Sequence, residues 1–286
     1  MTRILDKAFL EITNVCNLSC SFCPGTTRAP RCMSEQEFER LTDRLAGRVR
    51  YLYFHLMGEP TTHPKLARFA HRAAQKGFRP MLTTNGTRLA TCGQALLDAP
   101  FYKISISLHA PAANPTFAAP QYLEACIAFA KASAARGIIT VLRLWNVGGA
   151  EHERENAPVL ARLRAEFGSE WAENRSGYRL AEKLFLEWGE RFAWPHPDAE
   201  RAPEDAHAFC YALRDQIGVL ADGTVVPCCL DAEGRLALGN LHDTELDELL
   251  SSPRARAIYD GFGAHRAAEE LCRRCGYARQ HAYRTK

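Results

Sequence analysis

The stretch EITNVCNLSCSFCPGT, residues 11–26, places three cysteines within eight positions, at the end of an apolar, strand-like run. Cys16, Cys20 and Cys23 are separated by three residues and then by two. The chain has no recognisable secretion signal, and in a reducing compartment clustered thiols are more often metal ligands than disulfides. The sequence therefore predicts a metal centre held by these three side chains.

The composition is that of an ordinary globular protein. The chain has 286 residues, of which 47% are hydrophobic and 24% are charged, and its net charge of +3 gives no evidence for a nucleic-acid partner. The N-terminus lacks the apolar core and cleavage site of a signal peptide. No run of about 18 apolar residues predicts a membrane-spanning helix. We therefore expect a cytoplasmic protein that does not enter a membrane.

Six apolar, strand-like runs alternate with helical patterns, which is the arrangement of βα units. Ser34 and Glu37 fit a capping box at the start of the first helix, and Gly77 and Gly137 stand where helices should end. The sequence predicts an α/β fold with a partial (β/α)6 TIM-like barrel. The predicted strands are 8–13, 51–57, 79–85, 103–109, 138–145 and 183–188, and the helices begin at Ser34 and cover 64–76, 89–98, 120–136 and 152–167.

The fourth predicted strand alternates strictly between polar and apolar side chains. Ser105, Ser107 and His109 share one face, and Ile104, Ile106 and Leu108 share the other. Helices should cover the apolar face, so the polar face points into the barrel. Because buried polar groups need partners, this face predicts a cavity that holds a ligand rather than a packed core.

The pattern changes after the sixth strand. Residues 189–209 are rich in proline, alanine and charge, and residues 216–229 contain two short β runs around Ala221-Asp222-Gly223, which is a hairpin signal. Helical patterns follow at about 244–260 and 264–271. The predicted organisation is a barrel over 1–190, a connector over 191–209, and a separate small module over 210–286, a C-terminal β-hairpin plus helix extension.

A second group of cysteines lies in the predicted extension. Twelve residues separate Cys210 from Gly223, and four separate Gly223 from Cys228. A hairpin in this segment brings Cys210 and Cys228 together across its base, and the pair Cys272 and Cys275 completes a set of four thiols. Four thiolates close one metal site.

The spacing of the thiols alone does not identify the metal. A structural zinc ion takes four ligands, whereas three thiolates leave one iron of a 4Fe-4S cluster without a protein ligand. Cys32 stands nine residues after Cys23 and could complete a zinc site there. At the second group, Cys229 could replace Cys228. A zinc-binding structural or regulatory protein is therefore the alternative to an iron–sulfur enzyme.

The spacing of Cys16, Cys20 and Cys23, with the aromatic Phe22 just before the last cysteine, resembles the motif of the radical S-adenosylmethionine (SAM) superfamily. In that family the open iron chelates SAM, and the reduced cluster splits SAM into methionine and a 5′-deoxyadenosyl radical. That radical abstracts a hydrogen atom from the substrate. The resemblance implies that these cysteines are the metal ligands of the SAM-binding 4Fe-4S cluster.

Other positions match the same family. Met57-Gly58-Glu59-Pro60 resembles the "GGEP" element that binds the SAM amino group, with methionine in place of the first glycine. On the residues alone, a buried Arg143 must be paired, with Glu11 and Glu187 as candidates, whereas relatives carry a basic residue there for the SAM carboxylate. The cofactor-binding residues that the resemblance implies are Gly58, Glu59, Pro60, Asn85 of an Asn-Gly turn, Ser107 at the ribose, and Arg143.

The spacing of Cys210, Gly223 and Cys228 resembles the opening of the SPASM/twitch extension of radical SAM enzymes. This resemblance implies one auxiliary 4Fe-4S cluster that is fully ligated by protein. Such a cluster cannot bind substrate without losing a ligand, so its implied role is to accept an electron from a substrate radical. The implied metal ligands are Cys210, Cys228, Cys272 and Cys275.

The resemblance also limits the substrates and partners. Such enzymes modify peptides or oxidise small molecules, and a flavodoxin- or ferredoxin-type protein is the expected electron donor. The first strand begins near residue 8, so a peptide substrate would require a separate leader-peptide-binding protein. Candidate catalytic residues are His109, Glu187 and Cys32.

Overall fold

The structure is a computed structural model that describes residues 4–114, 117, 121–147, 150–190, 192–203 and 206–282. Within these residues, eleven strands form one sheet in the order β11-β10-β9-β1-β2-β3-β4-β5-β8-β7-β6. The strands are β1 (Leu5–Leu10), β2 (Val49–Tyr53), β3 (Arg79–Thr84), β4 (Lys103–Ser107), β5 (Ile139–Val147), β6 (Ala172–Asn174), β7 (Gly177–Ala181), β8 (Leu184–Glu190), β9 (Gln216–Val219), β10 (Thr224–Val226) and β11 (Gly239–Asn240).

Helices connect the parallel strands and follow the sheet. They are α1 (Glu35–Leu45), α2 (Leu66–Gln75), α3 (Leu89–Asp98), α4 (Tyr122–Ala135), α5 (Ala150–Phe167), α6 (Leu246–Ser251), α7 (Pro253–Gly263), α8 (Glu270–Arg273) and α9 (Gly276–Ala282). None of the helices in the described ranges combines the length and the apolar character needed to cross a membrane.

The predicted partial (β/α)6 barrel is confirmed. Strands β1 to β5 and β8 are parallel neighbours, and a helix follows each of the first five. The predicted capping box at Ser34 is present, since Ser34 accepts from Glu37 N while the Glu37 carboxylate accepts from Ser34 N. Phe38 and Leu41 of α1 are fully buried in the core, so this cap fixes a helix that packs with its apolar face inward.

Three local predictions are wrong. The antiparallel strands β6 and β7 were not expected, because β6 is exposed and carries no apolar alternation. The helix predicted over 244–260 is divided at Ser252, because Pro253 has no N–H group to continue α6 and Ser252 caps α7 by accepting from Ala255 N at 3.3 Å. The predicted helix 264–271 is absent, since α8 begins only at Glu270.

The C-terminal extension is joined to the barrel sheet. The predicted hairpin forms as β9 and β10, but β9 also pairs in parallel with β1, with Lys7 opposite Gln216 and Leu10 opposite Val219. One hydrophobic core therefore contains residues of both parts. The connector boundaries stay a prediction, and residues 191, 204 and 205 of the connector lie outside the described residues.

A buried ion pair joins the end of β1 to three other segments. Both carboxylate oxygens of Glu11 accept from the Arg28 guanidinium at 2.7 Å, and Glu11 is fully buried. Glu11 also accepts from Met57 N at 3.1 Å and from Ala221 N at 3.2 Å. Arg28 Nε donates to Ala232 O at 2.8 Å. Glu11 and Arg28 together form one polar node. This node joins strand β1, the cysteine segment, the end of β2 and the C-terminal hairpin.

This pairing also corrects one expectation from the sequence. Glu11 was a candidate partner for Arg143, but Arg28 satisfies its carboxylate in a bidentate arrangement.

We predict that Arg28→Met destabilises the protein by roughly 3–5 kcal/mol, because it leaves the Glu11 carboxylate buried without its counter-charge. Thermal and urea unfolding measure the loss. The matched control is Arg44→Met, which removes an arginine from the more exposed pair with Glu245 and should cost about 1 kcal/mol or less. Equal losses for the two variants would contradict the assigned role of the node.

Candidate functional site

The three N-terminal cysteines lie on the loop after β1. Cys16 and Cys23 are exposed and Cys20 is half-buried, and Cys23 N donates to Cys20 O at 3.0 Å. Burial is the largest cause that raises the pKa of the Cys16 thiol, and Glu59, Cys20 and Cys23 raise it further. The three sulfur atoms are thus within electrostatic range of one another at the mouth of the barrel.

Asn114 holds the loop at Cys20. Its Nδ2 donates to Cys20 Sγ at 3.0 Å and to Ala110 O at 2.7 Å, and its Oδ1 accepts from Ser19 N at 2.7 Å. The sequence analysis missed this residue, because it follows β4 and is far from the loop along the chain. A hydrogen bond to a cluster-ligating sulfur tunes the reduction potential of an iron–sulfur cluster.

Asn17 joins the same loop to the end of β3. Its Oδ1 accepts from Asn85 Nδ2 at 3.0 Å, and its Nδ2 donates to Thr87 Oγ1 at 2.8 Å. Asn85 Oδ1 accepts from Thr87 N and Thr87 Oγ1. The structure therefore brings the predicted residue Asn85 to the cysteine loop. Asn17 and Thr87 were missed; the only signal was an amide placed between two of the cysteines.

The Gly58-Glu59-Pro60 motif packs on the segment before Cys16. Gly58 has a φ of +75°, and a Cβ atom there would lie 2.5 Å from Thr13 O and 2.8 Å from the Asn14 carbonyl carbon. Glu59 N donates to Val15 O at 2.9 Å. Only glycine allows this approach of two backbones, so the motif sets the height of the cysteine loop above the barrel.

The Glu59 carboxylate braces the ends of β2 and β3. Its Oε1 accepts from Thr61 N at 3.0 Å and from the hydroxyls of Thr61 and Thr84 at 2.7 Å, and its Oε2 accepts from Asn85 N at 2.7 Å. Burial raises the pKa of this carboxyl group against these hydrogen bonds. Pro60 begins a short 3₁₀ helix, where its missing N–H group costs no hydrogen bond. The motif is therefore a rigid support beside the cysteines.

A cavity of about 680 Å³ lies between the barrel and the C-terminal extension. Ser105, Ser107 and His109 line it, whereas Ile104 and Ile106 are fully buried on the other side of β4. The prediction that the polar face of this strand borders a cavity is confirmed. The cavity places barrel residues and the C-terminal cysteines around one space.

The candidate catalytic residues separate into two groups. His109 and Glu187 line the cavity; His109 Nδ1 accepts from Trp145 N at 3.2 Å, and Glu187 accepts from Lys103 Nζ at 3.4 Å. Cys32 is exposed, and its sulfur lies 3.3 Å from Thr13 Oγ1. The structure therefore brings His109 and Glu187 to the site but leaves Cys32 outside the cavity.

Arg143 points into the cavity from β5. Its Cζ lies 3.3 Å from the centre of the Trp145 ring, and its Nε is buried without a hydrogen-bond partner. Burial lowers the pKa of Arg143 to about 10, against attraction by Glu187, Tyr53 and Cys229, so the guanidinium stays charged at neutral pH. Of the two carboxylates considered from the sequence, Glu187 is its neighbour, directly opposite on β8.

The four predicted C-terminal ligands also meet at this cavity. Cys210, Cys228, Cys272 and Cys275 all line it. Burial raises the pKa of Cys210 to about 12, and it raises that of Cys228 well above its ordinary value. Cys229 lines the same cavity and contributes to both of these shifts. Cys228 therefore stays the predicted fourth ligand, with Cys229 as its alternative.

Both sets of thiols fit iron–sulfur clusters. Cysteine thiolates are the ligands of such clusters, and each thiolate binds a different iron atom. Three thiols lie on the exposed loop after β1, and four thiols, two of them buried and two half-buried, line one wall of the cavity. These donor sets match an open cluster and a closed cluster.

We predict that Gly58→Ala lowers stability more than Gly47→Ala does. Both glycines have positive φ, but a Cβ at Gly47 meets nothing within 4 Å, whereas a Cβ at Gly58 meets backbone. Each substitution puts an alanine in the left-handed backbone region, which lowers the free energy of unfolding by about 1–2 kcal/mol. The clash at Gly58 lowers it by roughly 1–3 kcal/mol more. Thermal unfolding measures both variants. The interpretation fails if the two melting temperatures fall equally.

Comparison with known families agrees with these two sites. Residues 10–149 match the radical SAM superfamily, and residues 210–276 match SPASM, an iron–sulfur cluster-binding domain. The first range contains Cys16, Cys20 and Cys23, and the second contains the four C-terminal cysteines. No comparison favours the zinc alternative.

Similar proteins include a probable GTP 3′,8-cyclase of Pyrococcus abyssi, which is 33% identical over 109 residues, or 37% of this chain and 35% of that protein. The chain thus matches only about a third of the length of this curated relative. BtrN in complex with AdoMet and 2-DOIA is similar in structure with a TM-score of 0.58, at 17% identity over 96% of this chain and 94% of that chain.

Streptococcus suis SuiB bound to precursor peptide SuiA has a TM-score of 0.60, at 14% identity over 98% of this chain and 71% of that chain. At such identities the solved structures establish the fold alone. The two family matches, together with the two sets of cysteines, identify the family. The chain belongs to the radical SAM superfamily and carries a C-terminal SPASM iron–sulfur cluster-binding domain.

Proposed function

We propose that this protein is an enzyme that reductively cleaves SAM to methionine and a 5′-deoxyadenosyl radical and abstracts a hydrogen atom from a substrate in the cavity. The observation that carries the proposal is the pair of thiol sets: three cysteines at the barrel mouth and four at the cavity wall. When bound, the open cluster supplies the SAM site and the electron for cleavage, and the closed cluster supplies a route for a second electron.

The chain's own residues set the position of SAM. We assign its binding to Gly58, Glu59, Pro60, Asn85 and Ser107. Gly58 and Pro60 place their backbone beside the cysteine loop, and Glu59 acts mainly by fixing Asn85 and the end of β2, because both of its oxygens already accept hydrogen bonds. Ser107 lines the cavity at the end of β4.

Arg143 lies directly opposite Glu187 of β8, and both side chains line the cavity. Its guanidinium stacks on Trp145, and its Nε is buried without a hydrogen-bond partner. We therefore assign Arg143 to the substrate rather than to the SAM carboxylate. His109 and Glu187 are the remaining polar candidates for contact with the substrate.

The closed cluster is held by Cys210, Cys228, Cys272 and Cys275 in this proposal. Because the protein would supply all four ligands, a cluster bound there would have no iron open to the substrate and would supply electron transfer without direct binding. Net oxidation would remove a hydrogen atom, taken by the 5′-deoxyadenosyl radical, an electron, taken by this cluster, and a proton. His109 and Glu187, which line the cavity, are the proposed acceptors of that proton.

The substrate is a small molecule or a peptide. BtrN, which shares the fold, is known in complex with 2-DOIA, and SuiB with a precursor peptide. The proposed electron donor is a flavodoxin- or ferredoxin-type protein, and a peptide substrate would be delivered by a separate leader-peptide-binding protein. We expect the protein to act in the cytoplasm.

We predict that anaerobically reconstituted protein binds two 4Fe-4S clusters and converts SAM to 5′-deoxyadenosine when reduced with dithionite. Iron and sulfide analysis, electron paramagnetic resonance and chromatography of the nucleoside measure this. Protein that binds only zinc and leaves SAM intact would establish the structural alternative and contradict the proposal.

Two variants assign the clusters. Cys16→Ala should lose one cluster signal and all 5′-deoxyadenosine, because its thiol is a ligand of the open cluster. Cys210→Ala should lose the other signal and still cleave SAM, because it affects only the closed cluster. Cys92→Ala, on helix α3, is the control and should keep both signals. Loss of the same signal in the first two variants would show that the cysteines do not form two sites.

A further inference from the structure

Two cations on the barrel wall of the cavity have no carboxylate at ion-pair distance in the described part of the chain. They are Lys7 of β1 and Arg143 of β5. The third basic residue of the wall, Lys103, is paired with Glu187 at 3.4 Å. Glu187 attracts Arg143 as well, but one carboxylate does not balance three cations.

The other acidic side chains of the wall do not supply the missing charge. The Asp231 carboxylate is hydrogen-bonded to the backbone, because its oxygens accept from Arg235 N at 2.9 Å and from Leu236 N at 2.8 Å. Glu190 is exposed at the last position of β8, opposite Val147 and beyond the Arg143–Glu187 pair. On the barrel wall of the cavity, the basic side chains therefore outnumber the carboxylates that lie close to them.

The Arg143 guanidinium is held in place and left partly unsatisfied. It stacks on Trp145 at 3.3 Å, and that ring also lies against Gly189, where a Cβ would be 2.7 Å from Trp145 Cγ. The glycine thus makes room for the ring, and the ring fixes the cation. Arg143 Nε is buried and has no hydrogen-bond partner, which is costly unless a ligand provides one.

His55 adds a second unsatisfied polar atom next to this cation. Its Nδ1 is buried without a partner. Burial and the Arg143 charge lower the pKa of His55 to about 3, so the ring is neutral and adds no positive charge of its own. The stacked rings of Phe9 and Tyr53, with centroids 4.8 Å apart, lie beside it and form an apolar flank.

The two cations share one cavity. Lys7 lines it from β1 and Arg143 from β5, and the C-terminal cysteines line the same space. Two cations, together with the unpartnered nitrogens of Arg143 and His55, are groups that bind a carboxylate or a phosphate.

We propose that Lys7, Arg143 and His55 form a subsite that binds an anionic oxygen group of the substrate, a carboxylate or a phosphate. The inference rests on the proposed function and narrows its substrate class to acids. The anionic end of the substrate lies against the wall shared with Cys229, and the remainder extends along Phe9 and Tyr53 toward the SAM site.

The test uses the holoenzyme with both clusters and three probes that share one ring: phenylacetate, phenyl phosphate and the neutral phenylacetamide. Thermal shift titrations at constant ionic strength give their affinities. We expect one or both anions to bind at least about tenfold more tightly than the amide. Lys7→Gln should weaken anion binding about tenfold, Lys7→Arg should restore most of it, and the surface variant Lys131→Gln should have no effect.

Three results overturn the inference. The first is equal binding of phenylacetate and phenylacetamide, and the second is no anion binding at all. The third is unchanged anion affinity in Lys7→Gln together with a shifted midpoint potential of the closed cluster, which would make the cations counter-charges of the cluster. SAM cleavage is measured on the same preparation. Cleavage without anion binding refutes this subsite and leaves the proposed function standing.

Discussion

The bidentate ion pair of Glu11 and Arg28 is the constraint on which the rest of the site depends. Glu11 is the first residue after β1, and it binds the cysteine segment, the end of β2 and the C-terminal hairpin at once. A fully buried carboxylate with four donors admits little movement. The loop that carries one set of thiols and the hairpin that leads to the other are therefore fixed by the same side chain.

This arrangement places the N-terminal cysteine loop beside the cavity that the C-terminal cysteines line. Phe22 of that loop lines the cavity as well. Strand β9 extends the barrel sheet beside β1, so the extension closes the side of the barrel. Lys7 and Arg143 line the same cavity, where we propose that an acidic substrate binds.

Sequence patterns predicted the repeated βα units and the two sets of cysteine ligands. They missed the side chains that hold distant segments of the chain together. The six barrel strands follow from apolar runs, and the cysteine sets follow from spacing. The roles of Asn114 and Asn17 could not be predicted, because their contacts join segments far apart in the chain, for which no local pattern exists. The pairing of β9 with β1 was missed for the same reason. Glu11 was named as a candidate partner of Arg143 because strand positions alone do not reveal Arg28, which reaches Glu11 from a loop.

The most direct test of the account is an oxygen-free crystal structure of the reconstituted protein with SAM. The account predicts one 4Fe-4S cluster on Cys16, Cys20 and Cys23 with SAM on its fourth iron, and a second cluster on four C-terminal cysteines that opens onto the same cavity. A first site closed by Cys32, or a single zinc ion in either place, would contradict it.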